Sequence, residues 1–82
     1  MTFRKDFPEV RFSFSLARQL EVMLAEVEEV QDAFGDREHF LEEVIDTIHA
    51  AYNVLYTTYT DVEIQEAIER VRDKNAKRGY YK

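Results

Sequence analysis

The chain has 82 residues, 45% of them apolar and 34% charged, with a net charge of −6. That length holds a single domain near the size at which one hydrophobic core barely outweighs chain entropy, and the apolar share excludes a disordered chain. The absence of cysteine excludes disulfide staples and thiolate metal sites, and the acidic balance argues against a nucleic-acid partner, which needs a basic face to release counterions.

No apolar run approaches membrane-spanning length, and Arg4, Lys5 and Asp6 are followed by no apolar stretch of the secretory kind. A cytoplasmic protein without a membrane partner is therefore expected. Residues 1–14 form an N-terminal arm, extended or irregular, with Pro8 interrupting it. Phe7, Phe12 and Phe14 are expected to pack across helix ends or a neighbouring subunit rather than to stack on a ligand, because aromatic side chains bury large areas.

A first helix is predicted over residues 15–34, with Ser13 or Ser15 as N-cap and Gly35 as the stop. Leu16, Leu20, Met23, Val27, Val30 and Phe34 alternate spacings of four and three, one apolar stripe of helical period that reads as core. A second helix is predicted over residues 37–58, since no Gly or Pro interrupts it. Its apolar surface, from Phe40 and Leu41 through Val44, Ile45, Ile48, Tyr52 and Leu55, is broader than a lone small protomer can bury, so association is expected. Tyr52, Tyr56 and Tyr59 are assigned to that interface. Thr60 and Glu63 have the spacing of a capping box, which starts a third helix over residues 61–78 before Gly79 ends it. Its last turns are basic, through Arg70, Arg72, Lys74, Lys77 and Arg78. The bland account is complementation of the helix dipole, and the sharper one is a phosphate-binding tail. His39 and His49 read as ordinary residues of the second helix, and Tyr80 and Tyr81 as side chains able to cover a ligand.

The chemistry-bearing pattern is two carboxylate pairs, Glu26 with Glu29 and Glu43 with Asp46, each three residues apart. Residues at that spacing are neighbours on a helix surface, so two antiparallel helices could bring all four acids together. Glutamates often line solvated faces, and a solvated face and a metal site both remain open from the residues alone. All-oxygen ligation by carboxylates selects a hard cation, Mg²⁺ or Mn²⁺ in its place.

Three segments carry a resemblance. Leu24-Ala25-Glu26-Val27-Glu28-Glu29-Val30, Leu41-Glu42-Glu43-Val44-Ile45-Asp46 and Lys74-Asn75-Ala76-Lys77-Arg78-Gly79-Tyr80 are similar in order and spacing to the MazG-like all-α nucleoside triphosphate pyrophosphohydrolases, whose motif reads Glu-Glu-x-x-Glu, a spacer, then Glu-x-x-Asp. The resemblance covers nearly everything after Arg18. It implies an all-α protomer of two long antiparallel helices plus a C-terminal helix, completed as a four-helix bundle in a homodimer or a dimer-of-dimers tetramer. By it, Glu26, Glu29, Glu43 and Asp46 are the catalytic metal-binding acids, and Lys74, Asn75 and Arg78 hold phosphates. The implied reaction is Mg²⁺-dependent hydrolysis of a nucleoside triphosphate, in particular a deoxynucleotide, to the monophosphate and pyrophosphate. Ala25 stands where the family's motif begins with Glu. Phosphoribosyl-ATP pyrophosphohydrolase, which shares the pattern, and a non-catalytic helical nucleotide- or protein-binding module are the alternatives.

Overall fold

The computed structural model describes residues 2–82. It is all-α: α1 spans Thr2–Asp6, α2 Leu16–Asp32, α3 Arg37–Thr58 and α4 Asp61–Lys77, and no strand forms among the described residues. Local chemistry explains each boundary. The Ser15 hydroxyl accepts from the Arg18 amide at 3.1 Å to start α2, and the Asp36 carboxylate accepts from the His39 amide at 3.1 Å to start α3. The capping box at α4 is complete, with Thr60 N–H donating to Glu63 Oε1 at 3.0 Å and Glu63 N–H donating to Thr60 Oγ1 at 3.2 Å. Gly79, at φ 73°, ends the run in the left-handed region, and Tyr80 N–H closes back on the Asn75 carbonyl.

Four expectations need correction. α2 stops at Asp32 rather than Phe34, because the chain turns through Ala33, whose amide donates to Glu29 O, and Asp36 N–H returns to Ala33 O. Gly35 adopts no left-handed conformation there. The arm is not wholly extended or irregular, since Thr2–Asp6 is a short helix that lays Phe3 against Tyr52 and Tyr56, with ring centroids 5.5 and 6.1 Å apart. Tyr52 and Tyr56 therefore belong to the protomer's own core, with Phe3, Leu55, Ile64 and Ile68, whereas Tyr59 is exposed.

α2 and α3 form an antiparallel hairpin, and its register places polar residues on the seam. Gln19 lines the same space as Asn53, Glu26 the same space as Asp46, and Glu29 meets Glu43, the numbers falling on α3 as they rise on α2. The apolar stripe is the fourth correction. Leu16, Leu20, Val27 and Phe34 are exposed, Phe34 to 81%, while the buried α2 residue is Gln19 at 4%. Leu41, Ile45 and Ile48 of α3 are exposed as well. The protomer thus sets Gln19, Glu26, Glu43 and Asn53 on its seam beside Ala33 and Ala50, with Met23 and Val30 half-buried, and leaves much of the apolar surface of α2 and α3 uncovered. Its Cα radius of gyration, 14.3 Å, exceeds the roughly 12 Å of a compact chain of this length.

α4 leaves this hairpin and is braced from the other side. Ile64, 2% exposed, inserts against Tyr56 and Phe3, and the Arg4 guanidinium donates from Nε to both Asp61 oxygens at 2.8 Å while lying 4.2 Å from the Tyr56 ring centre. α1 is the wedge that joins α3 to α4.

Candidate metal centre

The second turn from the C-terminus of α2 and the second turn from the N-terminus of α3 face each other, because the four-residue link between the helices, Ala33–Asp36, is tight. Carboxylate oxygens of Glu26, Glu29 and Glu43 lie within 4.8 Å of one another. Oxygens on opposite sides of a six-coordinate Mg²⁺ stand about 4.2 Å apart and those around Ca²⁺ about 5 Å, so the spacing suits a hard divalent ion without selecting one. Asp46 stands outside that triad. It is exposed, lines a cavity together with Glu26, and its charge acts on Glu26.

Two atoms give the cluster its chemical interest. Glu26 Oε2 and Glu43 Oε2 are buried and have no hydrogen-bond partner among the described residues. A buried carboxylate oxygen with nothing to accept from loses its hydration without replacement, a cost of about 1–3 kcal/mol or more that a proton or a cation removes. The same conflict appears in the titration of Glu26, pushed up to about 7 by burial first, then by hydrogen bonding with Glu29 and by the charges of Glu29, Asp46 and Glu43. The donor set fits a hard cation: carboxylates only, two of them with an orphaned oxygen, on rigid helices.

His39 is the neighbour that sequence reasoning missed. Its Nε2 lies 3.1 Å from Glu43 Oε1, and this bond orients the carboxylate so that Oε2 turns inward. The i,i+4 spacing of His39 and Glu43 was the available signal. His49 instead bonds the Pro8 carbonyl at 2.8 Å and holds the arm. Glu28 is exposed and outside the triad, and Ala25 is exposed on the solvent side.

The three C-terminal candidates are not brought to the acids within the protomer. Lys74, Asn75 and Arg78 occupy the last turn and cap of α4, where Arg78 N–H donates to Lys74 O, and among the described residues no hydrogen bond, ion pair or shared cavity joins them to Glu26, Glu29, Glu43 or Asp46. The physical reason is the brace described above, which docks α4 on the Tyr56 end of α3, the end remote from Glu43.

Comparison of the chain with protein-family models, with curated proteins and with solved structures finds no match. Among the described residues, no helix is long and apolar enough to cross a membrane.

Proposed function

We propose that this chain is a MazG-like nucleoside triphosphate pyrophosphohydrolase, hydrolysing a nucleoside triphosphate to the monophosphate and pyrophosphate. The observation that carries the reading is the convergence of Glu26, Glu29 and Glu43 from two helices with two buried oxygens lacking any partner. Clustered acids of this kind repel one another unless compensated, and a triphosphate carried with a divalent cation supplies that compensation. Glu26, Glu29 and Glu43, with Asp46 beside them, would hold Mg²⁺ or Mn²⁺. When bound, the ion would neutralise phosphate oxygens and lower the pKa of an attacking water.

The chain's own residues supply the rest. His39 orients Glu43, the helical backbone fixes Glu26 and Glu29 one turn apart, and Lys74 and Arg78 give point and planar cations for the leaving phosphates, with Asn75 as a neutral donor. The inverted burial supports a homodimer or dimer of dimers: the exposed stripe of α2 and the apolar face of α3 are covered by a second copy, completing a four-helix bundle around the acids. In that assembly the basic end of one copy's α4 is delivered to the acids of another, which accounts for its distance from them within the protomer. Ala25, exposed where the family motif has Glu, favours one second reading, a nucleotide-binding assembly without turnover.

A panel of nucleoside triphosphates, with phosphoribosyl-ATP included, is incubated with Mg²⁺ in ¹⁸O-labelled water. Pyrophosphate release with label in the monophosphate supports the proposal. Label in pyrophosphate or free phosphate overturns it, and metal-dependent binding without any release leaves the non-catalytic reading.

A further inference from the structure

The seam that carries the acids continues toward the N-terminus of α2 into a double cavity under the arm, with lobes of about 220 and 190 Å³. The lobes share Val10, Phe12, Phe14, Gln19 and Asn53, and Glu26 and Asp46 stand at the far end of the smaller one.

Gln19 is the anomaly here. The residue is 4% exposed, lines both lobes, and among the described residues nothing hydrogen-bonds its carboxamide. Its neighbour across the seam is different: Asn53 Oδ1 accepts from Val10 N–H at 3.0 Å, and Asn53 Nδ2 donates to the His49 carbonyl at 3.1 Å. Asn53 is thus a structural amide that pins the arm, whereas the Gln19 carboxamide, whose polar atoms are not sealed from water, offers the cavity a donor and an acceptor. Aromatic surface lies at the same cavity, for Phe12 and Phe14 stack with ring centroids 5.9 Å apart and planes 19° apart, and Phe12 stays 65% exposed. Phe3 and Phe7 behave otherwise, being spent on Tyr52.

We infer that the cavity under the arm binds a planar heteroaromatic ring bearing a hydrogen-bond donor beside an acceptor, read by the Gln19 carboxamide and stacked on Phe12 and Phe14. That the ring is a nucleobase rests on the proposed function, since the acids at the end of the cavity are where the phosphates of the same molecule would lie. Gln19 is then the residue that selects the base. A carboxamide pairs with any edge offering one donor next to one acceptor, whereas a carboxylate at the same position accepts twice and suits guanine, whose N1–H and N2–H₂ are adjacent donors.

The test uses the four nucleosides without phosphate, in EDTA, so that it is independent of the metal reading. On ¹⁵N-labelled full-length protein, millimolar nucleoside should shift the Gln19 side-chain amide and the Val10 backbone amide. Gln19→Leu should weaken binding about tenfold at unchanged helix content, and Gln19→Glu should turn the preference toward guanosine. The inference is overturned if no nucleoside moves the Gln19 or Val10 signals of the wild-type chain, or if folded Gln19→Leu binds as tightly as the wild type. Nucleoside binding without pyrophosphate release leaves this site standing and removes the hydrolase, while release without nucleoside binding does the reverse.

Discussion

His39 Nε2 and Glu43 Oε1 are 3.1 Å apart across one turn of α3, and this contact fixes which oxygen of Glu43 faces water and which faces the cluster. Outer partners of metal-binding carboxylates typically matter by about 10–100-fold in affinity, and the exposure of His39 puts this one at the low end. His39→Ala should weaken Mn²⁺ binding about tenfold by calorimetry, and Glu28→Gln, on the outward side, should leave it unchanged. Equal behaviour of the two variants would mean that the bond orients nothing.

Glu26 gives a pH dependence whose sign is determined. Its folded-state pKa, about 7, lies above the ordinary 4.5, so the folded chain without metal holds that proton more tightly than the unfolded chain does. The resulting stability is fully present below pH 4.5 and lost as pH rises through 7. In EDTA the melting temperature should therefore fall by several degrees between pH 5 and pH 8, one pKa unit being about 1.4 kcal/mol. Glu26→Gln should flatten this slope and raise the melting temperature at pH 8. A slope unchanged in that variant would assign the effect to other groups.

The exposed stripe makes oligomerisation measurable. Light scattering at micromolar concentration should give a dimer or tetramer mass, and melting should depend on protein concentration. Leu20→Glu with Val27→Glu, both on the exposed side of α2, should return a monomer that keeps its helix content. A wild-type monomer with intact helices would sink the completed bundle.

The brace on α4 should be the protomer's most sensitive point. Ile64→Ala removes the most buried side chain of the core and should cost about 2–4 kcal/mol in urea unfolding. Tyr56→Phe, which deletes only the 2.6 Å bond from the hydroxyl to the Phe7 carbonyl, should cost about 1 kcal/mol. A larger loss for the second than for the first would place the stabilisation in the arm instead of in the core.

The three long helices were legible because their end signals are local: Ser15, Asp36, Thr60 with Glu63, and Gly79 act within a few residues of themselves. The predicted limits of α3 coincide with those observed, and those of α4 differ by one residue. The spacing of Glu26 with Glu29 makes them neighbours on α2 for the same local reason, whereas Glu43 joins them, and Asp46 stands outside the triad, only through the packing of α3 on α2. The burial pattern was not legible. Periodicity identifies Leu16, Leu20, Val27 and Phe34 as one face, but which face meets α3 depends on the hairpin register, which puts Gln19 and Glu26 inside. The helix at Thr2–Asp6 escaped because five residues are too few to show a period, and its stability comes from Phe3 and Arg4 touching residues far along the chain.

Arg4 and Asp61 are separated by 57 positions, whereas α2 and α3 meet across a short turn. Each doubling of a loop adds about 0.6 kcal/mol to the entropy of closing it, so the two associations are reached at different heights on the folding landscape. The hairpin that carries the acids closes across shorter sequence separations than the Arg4–Asp61 brace, so its contact order is the lower of the two. The wedge of α1 between α3 and α4 follows as a late zipper. Mutations in that wedge should accelerate unfolding while leaving the refolding rate almost untouched.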